Sequence, residues 1–199
     1  MTIRELWRER SGIDAPRKMV CVGLNYRDHA AEQGRDAPAE PLLFAKLASA
    51  LIEPGEAIVL PPEDDRRRLS GRQRRQCPDA AAHGRQWLSA KSFDTFCLLL
   101  PALVGAEELG DASGLRVMQR PNRETLQDAS TDDFLFDVST LIAHMSAAFA
   151  RAGRPDPQRH ALGRRGIYRD PPLSLQDGDT VEIEIEGIGA LMHPVVAAR

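Results

Sequence analysis

A chain of 199 residues with 42 % hydrophobic and 28 % charged side chains suits one domain that buries roughly 70 % of its unfolded surface, and this composition excludes wholesale disorder, collagen and a disulfide-stapled miniprotein. The formal net charge of −3 argues against a dedicated nucleic-acid binder, because phosphate recognition runs on a cationic surface. The longest apolar run, Phe96 to Ala106, contains Pro101 and falls well short of the ~20 residues that cross a bilayer. The N-terminal MTIRELWRER lacks the continuous apolar stretch of a secretory signal. Cys21, Cys77 and Cys97 are odd in number and include no CxxC pair, which points away from a disulfide framework or a zinc site. A soluble protein of the reducing cytoplasm, with no membrane partner, is expected.

Lys18 to Leu24 (KMVCVGL) reads as a buried strand. Asn25 then offers an N-cap for a helix carrying His29 and Glu32, with Gly34 where a C-cap glycine belongs. LLFAK (42–46) and EAIVL (56–60) read as strands with Pro54-Gly55 as the turn between them, and LRVMQ (115–119) alternates in the same way. From Thr131 onward, Asp132 and Asp133 precede a stripe of Phe134, Leu135, Val138, Leu141, Ile142, Met145 and Phe149, which predicts a helix with an acidic start. Val181, Ile183 and Ile185 alternate with Glu182, Glu184 and Glu186, and a turn at Glu186-Gly187 leads to a last strand, Ile188 to Val196. Many short strands with two or three helices predict an α+β, mainly β fold.

Two stretches break this pattern. Residues 63–85 hold seven arginines and residues 151–165 hold five, with neither helical nor strand period. A nucleic-acid arm is one reading, but neither stretch has an aromatic residue to stack on bases. A solvated basic loop is the plainer one.

The runs KMVCVGLNYRDHAAE (18–32), LLFAKLASALI (42–52), QWLSAKSFDTFC (86–97), QDASTDDFLFDV (127–138) and LSLQDGDTVEIEIEGIG (173–189) together resemble the fumarylacetoacetate hydrolase family, in the family's own order. The resemblance covers 18–199 as one domain behind an N-terminal extension, 1–17. It implies a mixed β-roll, commonly a homodimer, that holds Mg²⁺ or Mn²⁺ and acts on 2-oxo or 2,4-dioxo acids. Members hydrolyse C–C bonds, isomerise, hydrate or decarboxylate, with the metal stabilising an enolate. His29 and Glu32 match the family's catalytic dyad; three residues apart on a helix, they share one face, so a carboxylate there can orient an imidazole. Lys91, in KSFD, matches the lysine that contacts substrate oxygens, and Gln86 lies in the matching substrate-binding stretch. Lys46 follows a strand that the family places near the active site. His83, His144, His160 and His193 match no family position and read as structural or solvated.

The family's metal ligands, two glutamates in an ExE strand motif and an aspartate in an N-D-V-S-x-R segment, have no counterpart here: between Pro62 and Gln86 stands only the arginine-rich stretch. No metal ligand is therefore assigned. A second signature, P-G-D-x-I-x-x-G-T-P-x-G-V-G, should precede Ile167, and RAGRPDPQRHALGRRG stands in its place. The genetic code offers an account. Arg68 to Pro78 can be encoded so that a reading one nucleotide later gives Gly-Tyr-Arg-Val-Ala-Asn-Asp-Val-Ser-Ala. Arg151 to Gly166 can be encoded so that the same offset gives Glu-Pro-Gly-Asp-Leu-Ile-Leu-Asn-Gly-Thr-Pro-Trp-Gly-Val-Gly. These are the two missing motifs, so the sequence reads as a family gene with compensated frameshifts and a deleted ExE segment. The expectation is an incomplete β-roll that binds no metal and has impaired or no activity. Alternatives are a non-catalytic scaffold paired with an intact paralogue and, less well supported, an arginine-rich nucleic-acid binder.

Overall fold

The computed structural model describes residues 18–32, 34, 36–62, 91–99, 102, 104–148 and 175–198, besides 5, 8, 9 and 88. In chain order the elements are β1 (Met19–Gly23), α1 (Arg27–Glu32), β2 (Leu42–Lys46), a 3₁₀ turn (Ala48–Ala50), β3 (Leu51–Ile52), β4 (Ile58–Leu60), β5 (Cys97–Leu98) and α2 (Ala106–Leu109). They continue with β6 (Arg116–Pro121), β7 (Gln127–Ser130), a second 3₁₀ turn (Thr131–Asp133), α3 (Val138–Ala148), β8 (Thr180–Ile185) and β9 (Gly189–Ala197). Both arginine-rich stretches and nearly all of residues 1–17 lie outside the described residues.

A five-stranded sheet in the order β4-β9-β8-β6-β7 forms the frame. Its strands are antiparallel except for β4 beside β9, which is parallel. The chain is thus α+β and mainly β, as the sequence predicts. The Val-Ile-Ile alternation of β8 decides which face turns inward. Val181 is paired with His193 and Ile183 with Leu191, and Ile52, Ile58, Leu60, Val181 and Val195 form one buried cluster. The alternate residues face outward, where Arg120 on β6 bonds Glu182 at 2.8 Å and Glu184 at 2.7 Å. Cross-strand ion pairs of this kind fix register more than they add stability.

Beside the sheet, β1 and β2 form an antiparallel ribbon from Met19↔Lys46 to Gly23↔Leu42. One face, with Val20, Val22 and Leu43, packs on Leu141 and Met145 of α3. On the other, Met19 joins Ala50, Leu51, Cys97 and Leu99 in a second buried cluster. The ribbon is therefore held between a helix and the β3/β5 pair.

Three local expectations need correction. β2 and β4 are not a hairpin around Pro54-Gly55: β2 pairs with β1 and β4 with β9, although Gly55 does turn at φ +86°. The helix expected from Thr131 starts only at Val138. Thr131–Asp133 closes as a 3₁₀ turn, and Phe134 leaves it to bridge Tyr26, which lies between β1 and α1. The cap is Asp137, whose Oδ1 accepts the Thr140 N–H at 2.7 Å. Asn25 is not the cap of α1, because its carboxamide pairs with the Phe136 backbone.

The Asp137 cap carries a pH prediction. The Thr140 backbone N–H, and then its side chain, hold the Asp137 carboxyl below the usual carboxylate range. A depressed folded-state pKa means that the cap's contribution is full above the ordinary aspartate value, ~3.9, and is lost as pH falls through the lower folded value. Asp137→Asn retains the acceptor without the charge, so the acid-dependent loss of α3 helicity should flatten in that variant. Amide exchange of Leu141 and Ile142 between pH 2.5 and 6 checks this; identical acid profiles for both proteins would refute it.

Candidate active site

β1 leaves its ribbon at Leu24, which turns at φ +51°. That conformation crowds the side chain of any residue other than glycine and marks local strain. α1 follows, bearing His29 and Glu32 near its centre and end; their backbone is described and their side chains are not. Gly34 turns at φ +60°, its N–H bonded to the Ala31 carbonyl at 3.0 Å, which is the expected C-terminal stop.

Antiparallel pairing places Phe44 opposite Cys21 and Lys46 opposite Met19, so both β2 side chains share the ribbon face that turns away from α3. The segment 91–96 lies over this face. Lys91 sets its ammonium 5.2 Å from the centre of the Phe44 ring, a cation–π contact. Lys46 donates from Nζ to the Phe96 carbonyl, and Ser92 Oγ accepts the Leu47 N–H at 3.1 Å. Thr95, a β-branched residue at φ +70°, accepts the Val59 N–H on Oγ1 at 2.8 Å, which ties the segment to β4. The strained positions Leu24 and Thr95 thus stand next to the segments that carry His29 and Lys91. Backbone strain is maintained where surrounding contacts over-determine it, commonly at binding and catalytic sites.

Of the residues expected at the site, the structure brings Lys91 and Lys46 onto one ribbon face, and the same ribbon feeds directly into the helix of His29 and Glu32. Gln86 lies outside the described residues, as do His83 and His160. His193 is fully buried in the sheet core and His144 half-buried on α3, in keeping with structural roles. Sequence reasoning missed Thr95 and Ser92, since nothing in KSFDTF signals that a threonine turns to positive φ or that a serine binds the next strand. Among the described residues no three His, Cys, Asp or Glu side chains gather as a metal-holding group. The Lys91 contact that can be described is the one to the Phe44 ring.

The architecture defines a mainly β domain in which Lys46 and Lys91 lie on one part-buried face of the β1–β2 ribbon. The chain belongs to the fumarylacetoacetate hydrolase family. The pattern of the fumarylacetoacetate (FAA) hydrolase C-terminal domain matches it in two pieces, residues 18–74 and 69–196. A mitochondrial oxaloacetate tautomerase of Bos taurus (FAHD2A) is 33 % identical over 213 residues, covering 92 % of this chain and 68 % of the relative. The Homo sapiens protein of that name matches to the same extent. Among solved structures, a putative HpcE protein of Mycobacterium smegmatis superposes with a TM-score of 0.71 at 27 % identity, over 92 % of this chain and 76 % of that one. The 5-carboxymethyl-2-hydroxymuconate delta-isomerase of the same organism gives 0.66 at 25 %, over 93 % and 80 %. The relatives are tautomerases, isomerases and hydrolases of oxo acids and their enols. No helix among the described residues is long and apolar enough to cross a membrane.

Proposed function

We propose that this chain recognises a 2-oxo or 2,4-dioxo acid through Lys91 and Gln86, with His29 and Glu32 as the acid–base pair, and that its metal-dependent turnover is impaired or lost. The observation that carries this reading is the two-piece match, which overlaps at 69–74 inside the arginine-rich stretch. A continuous domain would match as one piece. The alignment with the bovine relative runs over 213 residues although the chain has only 199, so the relative carries residues with no counterpart here. Both facts support a deleted segment where the ExE motif belongs. The neighbouring frame over 68–78 and 151–166 supports shifted reading at two places after it.

In the family the resemblance assigns Mg²⁺ or Mn²⁺ the task of stabilising enolate charge. Without an acidic cage, a bound oxo acid would have the Lys91 ammonium, and no metal, to offset that charge. His29 could accept a proton, oriented by Glu32, but the resulting carbanion would lack its main stabiliser. Cys21 and Cys97 are buried, Cys97 among apolar side chains, and we read the compartment as a reducing one. A homodimer, or pairing with an intact family member, is the partner arrangement we favour over nucleic acid.

Calorimetric titration with Mn²⁺ or Mg²⁺ in the presence of oxalate, a mimic of the pyruvate enolate, tests the proposal. No stoichiometric metal-dependent binding is expected, while weak metal-independent anion binding should disappear in Lys91→Met. Tight one-to-one metal binding would overturn the loss of the cage, and unchanged anion binding in the variant would remove Lys91 from the site.

A further inference from the structure

α1 has six residues, far below the length at which a helix holds itself together in water, so its direction must come from tertiary contacts. These converge on one residue. Asn25 is 4 % exposed; its Nδ2 donates to the Phe136 carbonyl at 3.0 Å, and its Oδ1 accepts the Phe136 N–H at 3.0 Å. Its own carbonyl accepts the Leu135 N–H at 2.7 Å. The carboxamide thus behaves as an extra backbone unit, completing a short antiparallel pairing across 111 residues of sequence. The neighbours extend it: Tyr26 bridges Phe134 with its ring edge-on at 4.8 Å, and Arg27 donates to the Asp132 carbonyl at 3.0 Å. Asp132 is itself fixed by accepting the Gly114 N–H at 2.8 Å. The positive φ of Leu24 immediately precedes this clamp, so the strained turn out of β1 is held closed from the far side.

We propose that Asn25 is a positioning residue: its two-way bond to Phe136 aims α1, and with it His29 and Glu32, using the 132–136 loop as the template. The inference rests on reading those two residues as the acid–base pair, but its test does not require turnover. Asn25→Asp is close in shape, and its ionised carboxylate cannot donate and would face the Phe136 carbonyl. Protonated, it regains one donor and one acceptor and mimics the carboxamide. The other ionisable groups on the two facing segments are Arg27, Asp28, His29 and Glu32 on α1, Asp132 and Asp133 on the loop, and Asp137 just beyond it. Asn25→Ala, measured at the same pH values, reports any contribution from them.

The experiment is amide hydrogen exchange on the full chain, comparing Ala30 and Ala31 in α1 with Ile183 in β8, and correcting for intrinsic rates. In Asn25→Ala the α1 amides should exchange at least ~10-fold faster than in the native chain at both pH 4.5 and pH 7.5. In Asn25→Asp they should do so at pH 7.5 and return to within ~2-fold at pH 4.5. Ile183 should change little in either variant. Asn122→Ala, which removes the carboxamide bonds to Asp179 and Thr180, is a control expected to leave α1 unaffected. Unchanged α1 exchange in both Asn25 variants would show that another contact sets the helix. Equal acceleration of Ile183 would reduce Asn25 to a general stabiliser. Failure of the oxo-acid reading shows instead in the oxalate titration and leaves this result intact.

Discussion

A chain rebuilt with its acidic segments should bind Mn²⁺ on the order of 10³-fold more tightly than the present one. The rebuilt protein carries a Glu-x-Glu strand segment inserted before Glu63, and residues 68–78 replaced by the sequence that the neighbouring frame encodes, which includes the Asn-Asp-Val-Ser motif. A factor of 10³ corresponds to about 4 kcal/mol. One unit-charge pair 4 Å apart interacts by about that much at an effective dielectric near 20. Three carboxylates around a dication therefore supply several times the required energy, of which hydration of the free ion offsets the greater part. The present chain offers the ammonium groups of Lys46 and Lys91 on the ribbon face, and like charges repel the ion. Calorimetry of the two proteins under the same buffer decides the matter. If the rebuilt chain binds no better, the missing ligands are not what separates this chain from a metal enzyme.

The difference between what could and could not be read in advance follows from the range of the interactions involved. β8 and β9 were legible because alternation is a property of adjacent residues, and Val181, Ile183 and Ile185 need only one buried face to declare themselves. The start of α3 was not. Phe134 and Leu135 fit a helical stripe, but Phe134 is drawn to Tyr26, more than a hundred residues away in sequence, and tertiary packing overrides local periodicity. Asn25 was misread for a related reason. An Asx residue before a helix is a good cap by propensity, yet here its carboxamide pairs with the Phe136 backbone, and a long-range partner leaves no local trace. The family signatures name candidate site residues without their surroundings. The strain at Leu24 and Thr95 and the Lys91–Phe44 contact emerge only from the fold.

His193→Ala should lower the unfolding free energy by about 4 kcal/mol, a large share of the ~5–15 kcal/mol typical of a folded domain. His193 has 0 % exposure and lies on the inward face of β9 between Leu191 and Val195, opposite Val181. Its Nδ1 is 2.7 Å from the Glu56 carbonyl; because a carbonyl only accepts, Nδ1 carries the hydrogen. Nε2 is buried without a partner among the described residues, so there the residue contributes one bond and bears one orphaned nitrogen. Truncation removes a ring's worth of packing and strands the Glu56 carbonyl in the turn that leads into β4, two costs of different origin. Asparagine separates them: its amide nitrogen can take the place of Nδ1 and restore the bond, while the smaller side chain leaves part of the cavity. His193→Asn should therefore cost only about 1–2 kcal/mol. Urea unfolding at constant slope gives both values from the midpoints. Equal losses for Ala and Asn would mean that volume alone holds this position and that the bond to Glu56 contributes nothing. A loss below about 1 kcal/mol for Ala would mean that the β4–β9 edge is not part of the cooperative core.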